Sequence, residues 1–287
     1  MTSRAVFILS TPRSGSSALA GAMDALGVDM GKQYDQPKDF LNPKGYFESR
    51  NWQLIHKSLS GNAYTVRFAE ATQDHLEAYR RLIVKCSQAP IWGCKSPRLA
   101  YTLHFIKPLL QEAGVDIRIV VARRDFESIV QSFKRHTELA YQGRWPMTED
   151  QARAHMGKWL KAVEWQLAQW DGPVCEMDYD QLLEEPVTEL CTLHDFCFED
   201  LDIPGHKRII TPALNWLERG LRHFDGHHHT DVGPNDGDNG SKQSLASGWT
   251  RKRECGCRGR RDAERVDAER ESEPAADDEP ERDVDGE

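Results

Sequence analysis

The stretch from Ala5 to Gly27 constrains this chain more than any other. An apolar run, Ala5 to Leu9, is broken by Ser10-Thr11-Pro12, and a turn of small residues then opens into an Ala/Leu/Met pattern with helical spacing. Strand, tight loop and helix N-terminus follow one another with no room for other structure. Such a loop turns backbone N–H groups toward one point, where the helix dipole also favours negative charge, so an anion such as a phosphate or sulfate is expected there. Arg13 adds a cation, Ser14, Ser16 and Ser17 add hydroxyl donors, and Gly15 lets the backbone come close.

The loop lacks the Gly-Lys-Ser/Thr ending of a Walker A motif, because Ser16 follows Gly15. Thr11-Pro12-Arg13-Ser14-Gly15-Ser16-Ser17 instead resembles the 5′-phosphosulfate loop of sulfotransferases that use 3′-phosphoadenosine 5′-phosphosulfate (PAPS). That resemblance implies cofactor contacts from Arg13, Ser14, Gly15, Ser16 and Ser17, with Arg13 also acting in catalysis. Asn42-Pro43-Lys44-Gly45-Tyr46-Phe47-Glu48 is similar to a segment that follows this loop in bacterial members of the family. The likeness makes Glu48 the leading general base. An attacking hydroxyl must lose its proton, and a carboxylate is suited to accept it. The plainer alternative has Glu48 capping the helix that begins near Asn51.

Ile91-Trp92-Gly93-Cys94-Lys95 reads as a second buried strand, ended by Ser96-Pro97-Arg98. Ligands of open α/β sheets bind beyond the carboxyl ends of the strands, which favours Lys95 and Arg98 as site residues. The run resembles the family's Trp-Gly-x-Lys-Asp-Pro-Arg signature, with Ser96 in the place of Asp. The resemblance implies a catalytic part for Lys95 and acceptor binding for Arg98. Ile117 to Ala122 is the clearest remaining strand, followed by Arg123-Arg124-Asp125 and a helix from about Phe126 that carries Ser132. Sulfotransferases hold the cofactor's 3′-phosphate with an Arg at a strand end and a Ser eight residues later. Arg124 and Ser132 have that spacing, and Arg123 is the alternative.

Further helices are expected over Trp52–Leu59, Asp74–Cys86, Leu99–Ala113 and Asp150–Trp170, with a fourth strand at Pro173–Met177. Asp178 to Pro186 resembles a Tyr-Glu-Asp-Leu-x-x-x-Pro segment of the family, and its acids should cap the helix running to about Phe198. His56 and His75 have no evident ligand partners and read as structural or solvated. A last short helix is expected over Pro212–Phe224.

Net charge is −9, which argues against a general nucleic-acid or anionic-membrane partner. No apolar run is long enough to span a membrane, and Met1 to Arg4 carries no signal-peptide pattern, so a soluble, cytoplasmic protein is expected. The seven cysteines form no short-spaced metal or redox pattern and read as reduced core residues. The run His227-His228-His229 lacks the fixed geometry of a metal site, and none is expected. From Thr230 the chain is polar and then mixed-charge, with nine Lys/Arg and fourteen Asp/Glu beyond residue 250.

The expected architecture is therefore an α/β domain over residues 1–225, a three-layer sandwich with a central parallel sheet resembling the P-loop NTPases. A disordered polar tail is expected over 226–287. The resemblance implies sulfuryl transfer from PAPS to a hydroxyl or amine of a small-molecule or glycan acceptor. Rival readings are a nucleotide-dependent phosphotransferase and a non-catalytic nucleotide- or anion-binding module.

Overall fold

The structure, a computed structural model, describes residues 3–31, 34, 42–61, 66–140, 146–203 and 206–217. The expected polar tail, the histidine run, Cys255 and Cys257, and most of the loop over 32–41 lie outside them. Among the described residues four strands form one parallel sheet in the order β2-β1-β3-β4. The strands are β1 (Arg4–Ser10), β2 (Ile91–Lys95), β3 (Asp116–Arg123) and β4 (Val174–Asp178). All four carboxyl ends fall on one edge, because Ile8 pairs with Lys95, Ser10 with Ala122 and Arg123 with Asp178.

Every residue of β1 is buried, as a central parallel strand covered on both faces requires. Alternation along the strand sends its side chains into two cores. Ala5, Phe7 and Leu9 enter one, built with α2 (Arg50–Ser60), α3 (Gln73–Cys86), α4 (Leu99–Glu112), α5 (Phe126–Ala140) and α6 (Glu149–Ala168). Val6 and Ile8 enter the other, with α1 (Ser16–Leu26), α7 (Tyr179–Glu184), α8 (Pro186–Phe198) and α9 (Thr211–Trp216). This is the expected three-layer α/β sandwich. On the first face the Phe7 ring meets Trp52 and Trp92 edge-on, at centroid distances of 5.9 and 5.6 Å. Burying aromatic and aliphatic side chains of this size contributes roughly 1.5–3 kcal/mol each.

The boundaries differ from the sequence expectation mainly at the C-terminal side. One helix to Phe198 was expected after β4; instead Pro186 starts a new one, since proline suits a first helical turn and not an interior. Asp178 caps the short α7, accepting hydrogen bonds from the backbone N–H groups of Asp180 and Gln181 at 2.9 and 3.1 Å, whereas α8, the helix that runs to Phe198, has Glu185 at its N-cap without a side-chain hydrogen bond. Two arginines from the strand starts serve the far end of α8. Arg4 donates to the carbonyls of Cys197 and Glu199, and Arg118 to that of Phe196. Cations at orphan helix-end carbonyls are favourable, and Asp116 balances Arg4 at 2.5 Å.

The five described cysteines are all free thiols. Burial holds the Cys94 thiol well above its ordinary range and pushes that of Cys197 up to about 12, which agrees with a packing role. No helix of the described residues is long and apolar enough to cross a membrane.

Helix α9 ends in Trp216, whose indole lies flush on Gly21 of α1 and donates Nε1–H to the carbonyl of Ala18 at 3.2 Å. A Cβ at position 21 would overlap the ring. Gly21→Ala is therefore expected to destabilise the fold by roughly 1–3 kcal/mol through overpacking. Gly157, inside α6, has nothing near its missing Cβ, so Gly157→Ala is expected to stabilise by about 0.5–1 kcal/mol. Thermal melts of the two variants should move in opposite directions.

Candidate active site

The turn after β1 runs over Thr11–Gly15, and two of its residues have left-handed backbone: Arg13 (φ 68°) and Gly15 (φ 83°). Ser14 is buried and donates its hydroxyl to the Thr11 carbonyl at 2.9 Å, closing the turn. Position 15 admits only glycine, since a Cβ there would overlap the ring of Tyr179. Gly15 is also the N-cap of α1 and supplies no side-chain acceptor to the N–H groups of its first turn. Left-handed backbone at a non-glycine residue costs on the order of 1–2 kcal/mol, and such strain gathers at functional sites.

Three further elements converge on this loop. From α5, Ser132, which is 1% exposed, accepts a hydrogen bond from Arg13 Nε at 3.1 Å. From the end of β3, Arg124 lies over the Tyr179 ring, 5.0 Å from its centroid, and its Nη1 reaches the Arg13 carbonyl at 3.5 Å. From the end of β2, Lys95 Nζ donates to Ser17 Oγ at 3.3 Å, to the Tyr46 carbonyl at 3.0 Å and to Glu48 Oε1 at 2.8 Å. The Lys95 side chain is 3% exposed and that of Glu48 14%, so the pair is largely shielded from bulk water. Interior charges of this kind interact far more strongly than surface pairs.

Glu48 does not cap α2. Its N-cap is Ser49, without a side-chain hydrogen bond, while the Glu48 carboxylate turns to Lys95 and Gln53. Phe47 aims it. Left-handed (φ 55°) and buried, Phe47 packs edge-on against Trp216 with ring centroids 5.3 Å apart, beside Tyr34 at the same distance. Lys44 of the same segment lies over the Trp216 ring and donates to its carbonyl.

The neighbouring arginines separate clearly. Arg123 donates Nη1 to Glu164 at 2.6 Å and Nη2 to Glu176 at 2.7 Å, tying β3 to α6 and β4. Arg98, expected at the mouth of the site, is only 8% exposed. Its Nε donates to the Gly61 carbonyl at 3.1 Å and its Nη1 to Gln53 Oε1 at 3.0 Å. Ser96, where the resembling signature has Asp, is fully buried and accepts from the Arg98 backbone N–H at 3.2 Å and from Gln53 Nε2 at 2.8 Å.

His56 is wholly buried between Trp52 and Tyr79, with neither ring nitrogen hydrogen-bonded. Burial, with the Arg98 charge adding to it, lowers its pKa to about 3, so it is neutral at physiological pH. His75 closes a capping box with Thr72 at the start of α3. Sequence reasoning missed Gln53 and Tyr179. The signal for Gln53 is a long amide on the buried stripe of α2 that also holds Trp52, His56 and Leu59. For Tyr179 the signal is the resemblance of Asp178 to Pro186 to the family's Tyr-Glu-Asp-Leu-x-x-x-Pro segment, in which it stands at the tyrosine.

The site thus joins a helix N-terminus, the three cations Arg13, Lys95 and Arg124 and a shielded carboxylate at one loop, an arrangement able to bind an anion and accept a proton beside it. A family model described as "Sulfotransferase family" matches residues 5–202. Among solved structures, the chain is similar to the sulfotransferase STF1 from Mycobacterium tuberculosis H37Rv at 19% identity, over 76% of this chain and 71% of that one, with a TM-score of 0.47. It is also similar to the sulfotransferase domain from the curacin biosynthetic pathway, at 15% identity over 76% of this chain and 78% of that one, with a TM-score of 0.44. For the sulfotransferase domain of the Synechococcus PCC 7002 olefin synthase the figures are 19%, 81% and 82%, with a TM-score of 0.44. No curated protein matches the chain. The matched segment begins on β1, takes in the anion loop, Glu48, Lys95 and Ser132, and ends past α8, and on that match the chain belongs to the sulfotransferase family.

Proposed function

We propose that the protein transfers a sulfuryl group from PAPS to a hydroxyl or amine of a small-molecule or glycan acceptor. The observation that carries this reading is Lys95, which touches the loop hydroxyl of Ser17 and the Glu48 carboxylate at once and so sets a base beside an anion cradle. In the transfer, the acceptor oxygen or nitrogen forms a bond to sulfur as the bond from sulfur to the donor's phosphate oxygen breaks. The acceptor's proton passes to Glu48, and 3′-phosphoadenosine 5′-phosphate departs. Arg13, the loop amides and Lys95 offset the charge that gathers on the sulfuryl and leaving oxygens.

The 3′-phosphate is assigned to Arg124 and Ser132. Arg124 faces the loop, whereas two Arg123 nitrogens are committed to Glu164 and Glu176. Arg98, with Nε and Nη1 turned inward, is assigned to the floor of the site in place of acceptor contact.

Calorimetry without magnesium tests the donor. The 3′-phosphorylated nucleotide is expected to bind at least about tenfold more tightly than AMP or ATP, since charge-assisted phosphate contacts contribute on the order of 1.5–3 kcal/mol each. Arg124→Ala should erase most of that preference and Arg123→Ala should leave it. Equal affinity for ATP, or binding that needs magnesium, would overturn this reading in favour of phosphoryl transfer. Labelled PAPS with a panel of glycans, sterols and phenols then identifies the acceptor.

A further inference from the structure

Behind the Lys95–Glu48 pair lies a polar chain that the proposed transfer does not itself require. Gln53 is 0% exposed, on the inward face of α2. Its carbonyl oxygen accepts from Arg98 Nη1 at 3.0 Å, and its amide nitrogen donates to Glu48 Oε2 at 2.7 Å and to Ser96 Oγ at 2.8 Å. The orientation of this amide is dictated by its neighbours, because a guanidinium only donates and an ionised carboxylate only accepts. Turned over, Gln53 would set two acceptors against each other at Glu48 and two donors at Arg98. Both amide hydrogens and the oxygen are thus engaged, and the side chain has one arrangement.

We infer that Gln53 is the positioning residue of the general base, holding Glu48 Oε2 against the Arg98–Ser96 floor while Lys95 holds Oε1. The two carboxylate oxygens are gripped by different elements, α2 and β2, so the plane of the carboxylate is set from both sides. Arg98 acts at one remove, its charge polarising the amide that donates to Glu48. Ser96 belongs to the same device. It accepts from Gln53 and from the Arg98 N–H, whereas an acid at position 96 would put a second negative charge on that floor and compete with Glu48 for the amide. The departure from the family signature at Ser96 and the glutamine at position 53 are in this way one feature.

The inference rests on Glu48 being the base, and a double-mutant cycle separates the two claims. Gln53→Met keeps the length of the side chain and removes its polar end. With labelled PAPS and the fastest acceptor of the panel, it is expected to lower kcat roughly tenfold to 100-fold, the loss typical of a misplaced reacting group, with PAPS affinity changed less than about twofold. In the Glu48→Gln background the same substitution should cost less than about twofold, because a residue that acts only through Glu48 has nothing left to position. Equal losses in both backgrounds, or an unchanged kcat on top of an impaired Glu48→Gln, would overturn the role of Gln53 and leave the base in place. A Glu48→Gln variant with full turnover would overturn the base itself, and this inference with it. Should Gln53→Met fail to fold, Gln53→Asn keeps an amide in the buried space but is too short to span from Arg98 to Glu48, and the same cycle is read with it.

Discussion

Glu48→Gln is expected to lower turnover by roughly 100-fold or more, in the range for loss of a general base, while PAPS affinity stays nearly unchanged. The substitution preserves the side chain's shape and the hydrogen bond accepted from Lys95, at the cost of setting an amide NH2 where Oε2 now accepts from Gln53. What it removes is the capacity to take a proton, and that matters only in the transition state. Steady-state kinetics paired with calorimetry reads both quantities. Near wild-type turnover would exclude Glu48 as base. His56 would not replace it, being wholly buried with a pKa lowered to about 3 by that burial.

Arg13→Ala is expected to have an effect of comparable size by another route. Removing a single preorganised donor from a developing negative charge typically costs about 100- to 1000-fold in kcat. In the proposed transfer Arg13 is such a donor, held in left-handed backbone at φ 68° and hydrogen-bonded through Nε to Ser132. Loss of the side chain should also weaken the 3′-phosphorylated nucleotide and ATP alike, since it removes a cation that serves the 5′ side of both. That separates it from Arg124→Ala, which should act on the 3′-phosphate preference alone. If kcat at saturating donor survives in Arg13→Ala, Arg13 binds the donor and takes no part in the transfer.

Glu48, Lys95 and Arg13 are all named by local motifs, and the structure brings them within one small volume although Glu48 and Lys95 lie 47 residues apart. The parallel pairing of β1 with β2 does this, setting Lys95 beside Ile8 and hence beside the start of α1. The two arginines at the end of β3 show the opposite case. Arg123 and Arg124 have the same chemistry and adjacent numbers, and spacing alone leaves them interchangeable. Arg123 is the last residue of β3 and Arg124 the first beyond it, and the two side chains part there, one to the acids of α6 and β4 and the other to the turn after β1.

Strand-loop-helix order, the parallel α/β class and the tight small-residue turn before α1 were all legible in the sequence, because periodicity and turn chemistry are properties of a few consecutive residues. The inward turn of Arg98, the engagement of Glu48 by Gln53, the seat of Trp216 on Gly21 and the division between Arg123 and Arg124 were decided only by the tertiary structure. In each of these a polar or aromatic side chain had several partners of equal chemical merit along the chain. Which partner it meets depends on the packing of helices onto the two faces of the sheet, and no local pattern encodes that.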